Sequence, residues 1–470
     1  MRSRRRRWVV TCLALEGALG CGARSGLVPA SGDDNLDGGT GETTTSSTSS
    51  TSSTTTTTST VPTCEAVSCD ASWVRSFAPG PDGGGWVYST AAGACGRAAV
   101  AFGSSGLSLG GTTPSGIAVA QFDAAGAPRG VADLSTTSLD GPVLASGPDG
   151  TLAVGGVANA TFLFDGVSAA NAGLADGVLL VIDPDGAARW ARGLGTSSDH
   201  EEVTAVATDA SGRVFVAGVQ QGGIDAGGGP LPGRAFVAAF SGSGEPLWSH
   251  GFGTAATAPR SLATSPSGDL FMTGDFVDAM SVAGGPTLAT TGDPAQPDMF
   301  LVRLRADGAH VFSKRYGDEQ TQRGLAVAVG DDDTIVVAGM VTGSIDFGAG
   351  SLSPGSGPFD TGSFVAHLTS DATALSSALV GDAPTNLTQS LTAGVDGRAR
   401  LSLMLDPSRL LTIDGSGDVT SSSITPTAPP FLGKMPGGTF AAQFTTQPVD
   451  LGTGPIEAPS LYLARLCDSL

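Results

Sequence analysis

One unit recurs along this chain, and that recurrence constrains the fold more than any other feature. It reads AVATDASGRVFVAG at 205–218, then a variable stretch, then FVAAFSGSGEPLW at 236–248 and SHGFG. The next copy reads SLATSPSGDLFMTG (261–274), FLVRLRADGAHVF (300–312) and SKRYG; a third reads AVAVGDDDTIVVAG (326–339), FVAHLTSDATALS (364–376) and SALVG. Looser copies precede these, namely VLASGPDGTLAVGG (143–156) with VLLVIDPDGAARW (178–190), and earlier AVAFGSSGLSLGG with IAVAQFDAAGAPRG; two degenerate copies follow. Each unit holds four short apolar runs separated by tight-turn pairs such as DG and SG. Four alternating strands repeated around a ring make one blade each of a β-propeller, so the fold class is all-β.

The Trp of the fourth strand serves as a register mark, and equivalent positions fall at Trp73, Gly130, Trp190, Trp248, Phe312, Ser376 and about Ser421. Seven marks predict a single closed propeller of seven four-stranded blades, with six or eight compatible with the short last interval. The segment Tyr462 to Leu466 aligns with Phe236 to Phe240, the third strand of a blade, and no fourth strand follows it. The unpaired fourth strand is ASWVRSFA at 71–78. It is expected to complete the last blade and so remove the open edges of the sheet. On this register Cys467 matches Ser241 and Cys69 matches Gly244, the two ends of the turn joining strands three and four, which lie within disulfide reach. A Cys69–Cys467 bond is therefore expected across the break, with Cys64 and Cys95 as a second pair, although four cysteines permit three pairings.

The other expectations concern export. An arginine cluster, a modest apolar run from Trp8 to Leu15 and the small residues up to Gly20 have the order of a secretory signal over 1–20. Cys21 after Gly20 resembles the bacterial lipobox cysteine, which implies lipidation at Cys21; cleavage without lipidation, giving a free secreted or periplasmic protein, is the alternative. Residues 43–60 are exclusively Thr and Ser, a composition that cannot bury enough apolar surface to fold. Residues 21–63 thus read as a disordered stalk with a span of roughly 35 to 40 Å, and 64–470 as the propeller. The formal charge is −20 and no basic stripe is present, which opposes nucleic acid or anionic lipid as a partner. Contact with a membrane is expected only through the lipid, on the outer membrane or cell surface, and the protein is expected to be a monomer.

The copies AVATDASGRVFVAG, GSIDFGAG (343–350), FVAAF and FVAHL resemble the bacterial propeller repeats called SBBP repeats, found in secreted and surface proteins. The resemblance implies a propeller and an extracytoplasmic address, and no single activity. IDPDGAARW also resembles blades of quinone-cofactor propellers, but no cofactor signature accompanies it, and no cofactor is predicted.

Strand alternation puts the one-to-two and three-to-four turns on one rim, and the two-to-three and four-to-one connections on the other. The latter are long, at 219–235, 275–299, 340–363 and the SSDHEE segment 197–202. Recognition is expected on that long-loop rim or in the central funnel, facing away from the stalk. A repeated turn places Asp165, Asp225, Asp346 and Asp450 at equivalent positions, where calcium could be held or where each carboxylate caps its own turn. Asp331 to Asp333 read as a solvated turn, and His200 as a lone candidate ligand. Arg75, Arg192, His250 and Lys314 follow the register residue by two, and their stems are expected to pack over aromatic rings between blades. No catalytic constellation is found. The function expected is recognition of a surface protein or polysaccharide; an extracellular glycan hydrolase or lyase, or a structural envelope component, are the alternatives.

Overall fold

The computed structural model describes residues 72–467, apart from 81–82, 94–95, 197–199, 293–294, 356, 358–359, 382–386, 395–396, 405–407, 426–428, 436–437 and 451–454. The leader, Cys21 and the Ser/Thr tract lie outside the described residues.

Seven four-stranded antiparallel sheets follow one another along the chain. Blade three shows the plan: Glu202–Thr208, Val214–Val219, Ala235–Phe240 and Pro246–Phe252, paired in that order. Blades one to six span 84–133, 139–194, 202–252, 257–316, 322–381 and 387–425. Blade seven takes Phe431–Met435, Gly438–Thr445 and Ser460–Cys467 from the end of the chain and its fourth strand, Trp73–Phe77, from the beginning. Trp73 pairs with Arg465 and Phe77 with Leu461, so the ring is closed by strand exchange between the two ends.

Every register mark read from the sequence falls at the same place. Gly130, Trp190, Trp248, Phe312, Ser376 and Ser421 oppose Gln121, Val181, Ala239, Arg303, His367 and Thr412, each the penultimate pair of strands three and four before the turn between them, and Trp73 opposes Arg465 in the last described pair before the chain break.

The core lies between blades, which is why the middle strands are apolar on both faces. Ala235–Phe240 is buried along its whole length, and so is Leu270–Phe276. Seven buried clusters occupy the seven blade interfaces. Six hold between twelve and seventeen buried residues each. Among the described residues, the blade six to seven interface holds only Leu410, Leu432, Ala441, Ile456, Tyr462 and Ala464. This is the least populated of the seven interfaces among the described residues.

Polar latches supplement the apolar contacts. The indole N–H of Trp73, Trp190 and Trp248 donates to Ala124, Gly242 and Ala306 carbonyls in the next blade, at 3.1, 3.0 and 3.0 Å. Two residues later, Arg192 donates to the Gly244 carbonyl (2.9 Å) and Lys314 to that of Ala372 (3.0 Å), while His250 Nε2 meets the Gly308 carbonyl at 3.0 Å. The stacking differs from the stem packing expected between blades: the charged heads lie over rings, with Arg192 over Phe240 of the next blade, but Arg75 over Trp73 and Lys314 over Phe312 of their own strands. The hydrogen bonds to the neighbouring turn are the part that side-chain periodicity alone did not reveal.

The long two-to-three connections depart from expectation. In blades two, four, five and seven they form two-stranded ribbons, such as Phe162–Phe164 with Val167–Ala169 and Ile345–Asp346 with Ser351–Leu352; in blade three Asp225 bridges Pro230. In blades two and three the connection runs back along the fourth strand. A Cβ on Gly193 would meet the Ala170 oxygen at 2.6 Å, and one on Gly251 the Pro232 oxygen at 2.0 Å. Ile224 and Ala226 are buried in the connection of blade three, and Ile345 and Phe347 in that of blade five. Much of the loop length therefore covers the outer strand, whose edge would otherwise invite pairing with another chain, and does not stand free for recognition.

Candidate functional site on the long-loop rim

The innermost strand of every blade begins at the long-loop rim and ends at the tight-turn rim. All seven converge on a narrow channel of about 250 Å³. Halfway along it, Leu144, Val206, Leu262, Val327, Leu391 and Leu432 are buried in one layer with Thr90, so the centre is constricted by aliphatic side chains.

At the tight-turn mouth Lys434 of blade seven reaches past blade six to blade five. Its Nζ donates to the Val329 carbonyl at 2.9 Å and pairs with Asp331 at 2.7 Å. This corrects the reading of Asp331 as a merely solvated turn residue; Asp332 does behave as one, accepting the Thr334 N–H at 3.1 Å. Both lysines of the chain, Lys314 and Lys434, are consumed in links between blades.

The opposite mouth is built differently. In six blades the innermost strand carries a β-bulge near its start, between Val87 and Ser89, Asp140 and Val143, Val203 and Ala205, Pro259 and Ser261, Gly324 and Ala326, and Thr388 and Ser390. Bulges re-aim side chains and recur beside sites. The bulged residues include Tyr88 in blade one and Arg260 in blade four; two residues before the bulge stand Trp86 in blade one and Arg323 in blade five. Trp86 is 55% exposed and lies edge-on to Tyr88, with ring centroids 6.0 Å apart. It covers Gly103, where a Cβ would meet the indole at 2.6 Å.

A cleft of about 640 Å³ opens on this rim, lined by Gln220, Gln221, Arg234, the segment from Thr254 to Ala258, Arg260, Asp275 and Arg323. Asp275 is ion-paired with Arg260. Arg234 and Arg323 have no acidic partner among the described residues, and Arg323 Nε is shielded from water without an acceptor. The cleft is thus locally cationic in a chain of net charge −20. The repeat alignment carries a signal for it: where one unit has Val203-Thr204, the next has Pro259-Arg260.

The other sequence candidates are dispersed. Asp225 accepts the Gly227 and Gly229 N–H groups at 2.7 and 2.9 Å, and these hold its carboxyl below the usual range. Asp346 accepts from Gly348 and Gly350 at 2.7 and 3.3 Å, and Asp165 from Ala188 at 3.0 Å. Asp450 holds the matching backbone position opposite Pro455. Among the described residues, no three His, Cys, Asp or Glu side chains are gathered where one ion could be held. His200 Nε2 lies 3.9 Å from Glu202. Cys467 is disulfide-bonded, and its N–H meets Ser72 Oγ at 3.2 Å; Cys64, Cys69 and Cys95 lie outside the described residues.

No family model matches the chain, and no curated protein sequence matches it. Solved structures similar to it have low identity to the chain, and they include propellers. The Dos1 propeller is 11% identical with a TM-score of 0.41, covering 81% of this chain and 77% of that one. The β-propeller domain of the trilobed protease of Pyrococcus furiosus is 9% identical with a TM-score of 0.42, covering 77% and 91%. BamB of Moraxella catarrhalis is 14% identical with a TM-score of 0.36, covering 80% and 84%. The assignment of this chain as a seven-bladed propeller rests on its own seven sheets.

Proposed function

We propose that the protein is an exported lipoprotein of the secreted propeller-repeat kind, tethered through Cys21, whose long-loop rim recognises a polysaccharide or protein at the cell surface. The observation that carries this reading is the placement of the chain's entry. Ser72 and Cys467 lie together on the tight-turn rim, whereas Trp86, Arg260 and Arg323 belong to the start of innermost strands on the opposite rim. A stalk leaving from Ser72 would turn the cleft and the exposed indole outward.

A glycosidase needs two carboxylates facing one space. The cleft offers one, Asp275, already engaged by Arg260, so the geometry favours recognition over hydrolysis. The test is a glycan array and envelope binding assay with the full chain, beside a Trp86→Ala and an Arg323→Gln variant. Binding that both variants weaken supports the reading. Binding unchanged in both would overturn the choice of rim, and incorporation of labelled palmitate that persists in Cys21→Ala would overturn the tether.

A further inference from the structure

Resting on that reading of the rim, we infer that the cleft between blades three, four and five takes an isolated carboxylate, carried by a uronic acid residue of an otherwise neutral glycan. Three arginines, Arg234, Arg260 and Arg323, line one cleft with a single acid. Asp275 neutralises only Arg260. Most other arginines with a described partner are spent on pairing, as in Arg189 with Asp149 and Asp183, Arg213 with Asp209, Arg303 with Asp269 and Arg315 with Asp298. Arg234 and Arg323, two guanidinium groups without an acidic partner among the described residues, share one cleft and repel. Arg323 adds a donor that is hidden from water and unmatched; a planar oxyanion answers both, because a guanidinium fork binds a carboxylate through two parallel N–H donors.

The size of the charge selects the class of ligand. A polyanion would meet the field of a chain of formal charge −20, which opposes its approach. A single carboxylate meets mainly the groups within about a Debye length of roughly 8 Å, where the arginines dominate. The sugar assignment comes from elsewhere on the same rim: Trp86, exposed and edge-on to Tyr88, occupies in blade one the register place that Arg323 occupies in blade five, outside the cleft lining, where it would stack a further residue of the same glycan and not the one held in the cleft. A flat apolar face with a wet edge suits the C–H face of a pyranose, and a cleft of this volume falls within the usual range for small ligands.

The experiment measures binding of methyl β-D-glucuronide, methyl β-D-glucoside and acetyl-glutamate amide to the full chain by calorimetry. The glucuronide is expected to bind about tenfold tighter than the glucoside, since a charge-assisted hydrogen bond contributes at least that factor. Arg323→Gln and Arg234→Gln should each erase that preference, Arg323→Lys should restore part of it, and Trp86→Ala, outside the cleft lining, should leave both monosaccharides unchanged. Equal affinity for the two sugars, no binding of either, or acetyl-glutamate amide binding as tightly as the glucuronide overturns the inference. If both sugars bind equally and both are weakened alike in Arg234→Gln, the rim stands as a recognition surface and only the carboxylate assignment falls.

Discussion

The indole N–H of Trp248 donates to the carbonyl of Ala306, 58 residues further along and one blade away, at 3.0 Å. The same turn contains Gly308, whose φ is +84° and where a Cβ would sit 2.6 Å from the Trp248 ring. One glycine therefore satisfies two demands, a left-handed turn residue and room for the neighbour's indole. Trp248→Phe is expected to keep the ring contact and lose the hydrogen bond, at a cost of about 1 kcal/mol in urea denaturation. Gly308→Ala should cost more, about 2 kcal/mol or above, from backbone strain and the displaced indole together. A smaller loss for Gly308→Ala than for Trp248→Phe would contradict this account.

The interface between blades six and seven, the least populated with buried apolar side chains among the described residues, is held by polar clamps. Arg400 of blade six donates to the Leu466 carbonyl at 2.9 Å, the Cys467 carbonyl at 2.7 Å and Thr439 Oγ1 at 3.0 Å. Few buried apolar residues make a region open locally before the rest. Hydrogen exchange is expected to be fastest in strands 387–425 and 431–467, and Arg400→Gln to accelerate it there by more than tenfold, since bonds from a charged donor are worth about 1.5 to 3 kcal/mol. Lys434→Met should act in the same direction. Asp331→Asn should change little, because a pair exposed to 37% and 56% contributes only about 0 to 1 kcal/mol.

Ser72 Oγ already touches the Cys467 N–H, which brings the chain entry to the end of the last strand. A Cys69–Cys467 bond would join them covalently where other blades have a turn. Cys69→Ser and Cys467→Ser are expected to lower stability equally, by about 2 to 4 kcal/mol, and the double variant to lose no more than either. Peptide mapping without reductant should recover the two cysteines linked. Recovery of Cys467 linked to Cys64 or Cys95 would refute the pairing.

Blade number, strand order and closure were legible because each depends on periodic information repeated several times, and a fault in one copy, such as Gly130 or Ser376 in the Trp position, is outvoted by the others. The rim site was not legible in the same way. Arg260 and Arg323 come from different blades and become neighbours only through the ring, and a bulge of one residue changes where a side chain points without altering the apolar pattern. The ribbons were misread for a related reason: Ile224, Ala226 and Phe347 are short apolar islands inside Gly-rich stretches, and their burial against a neighbouring strand is a tertiary fact. Lys434 shows the same limit, since its partners Val329 and Asp331 lie more than 100 positions away.

His367 supplies a pH test of the packed ring. It is buried on the third strand of blade five, its Nδ1 lies 3.1 Å from Ser376 Oγ, and Nε2 has no partner. Burial pushes its pKa below the ordinary 6.5, with Asp414 pulling weakly the other way. The unfolded chain therefore binds the proton more readily than the folded one, so stability is full above the unfolded value and is lost as pH falls below about 6.5 towards the folded value. Asp298 works in the opposite sense, since burial raises its pKa and its penalty is relieved by acid at lower pH. Urea midpoints at pH 7.5 and 5.5 should show the wild type losing stability on acidification and His367→Gln losing less of it. Equal loss in the two proteins would remove His367 as the source.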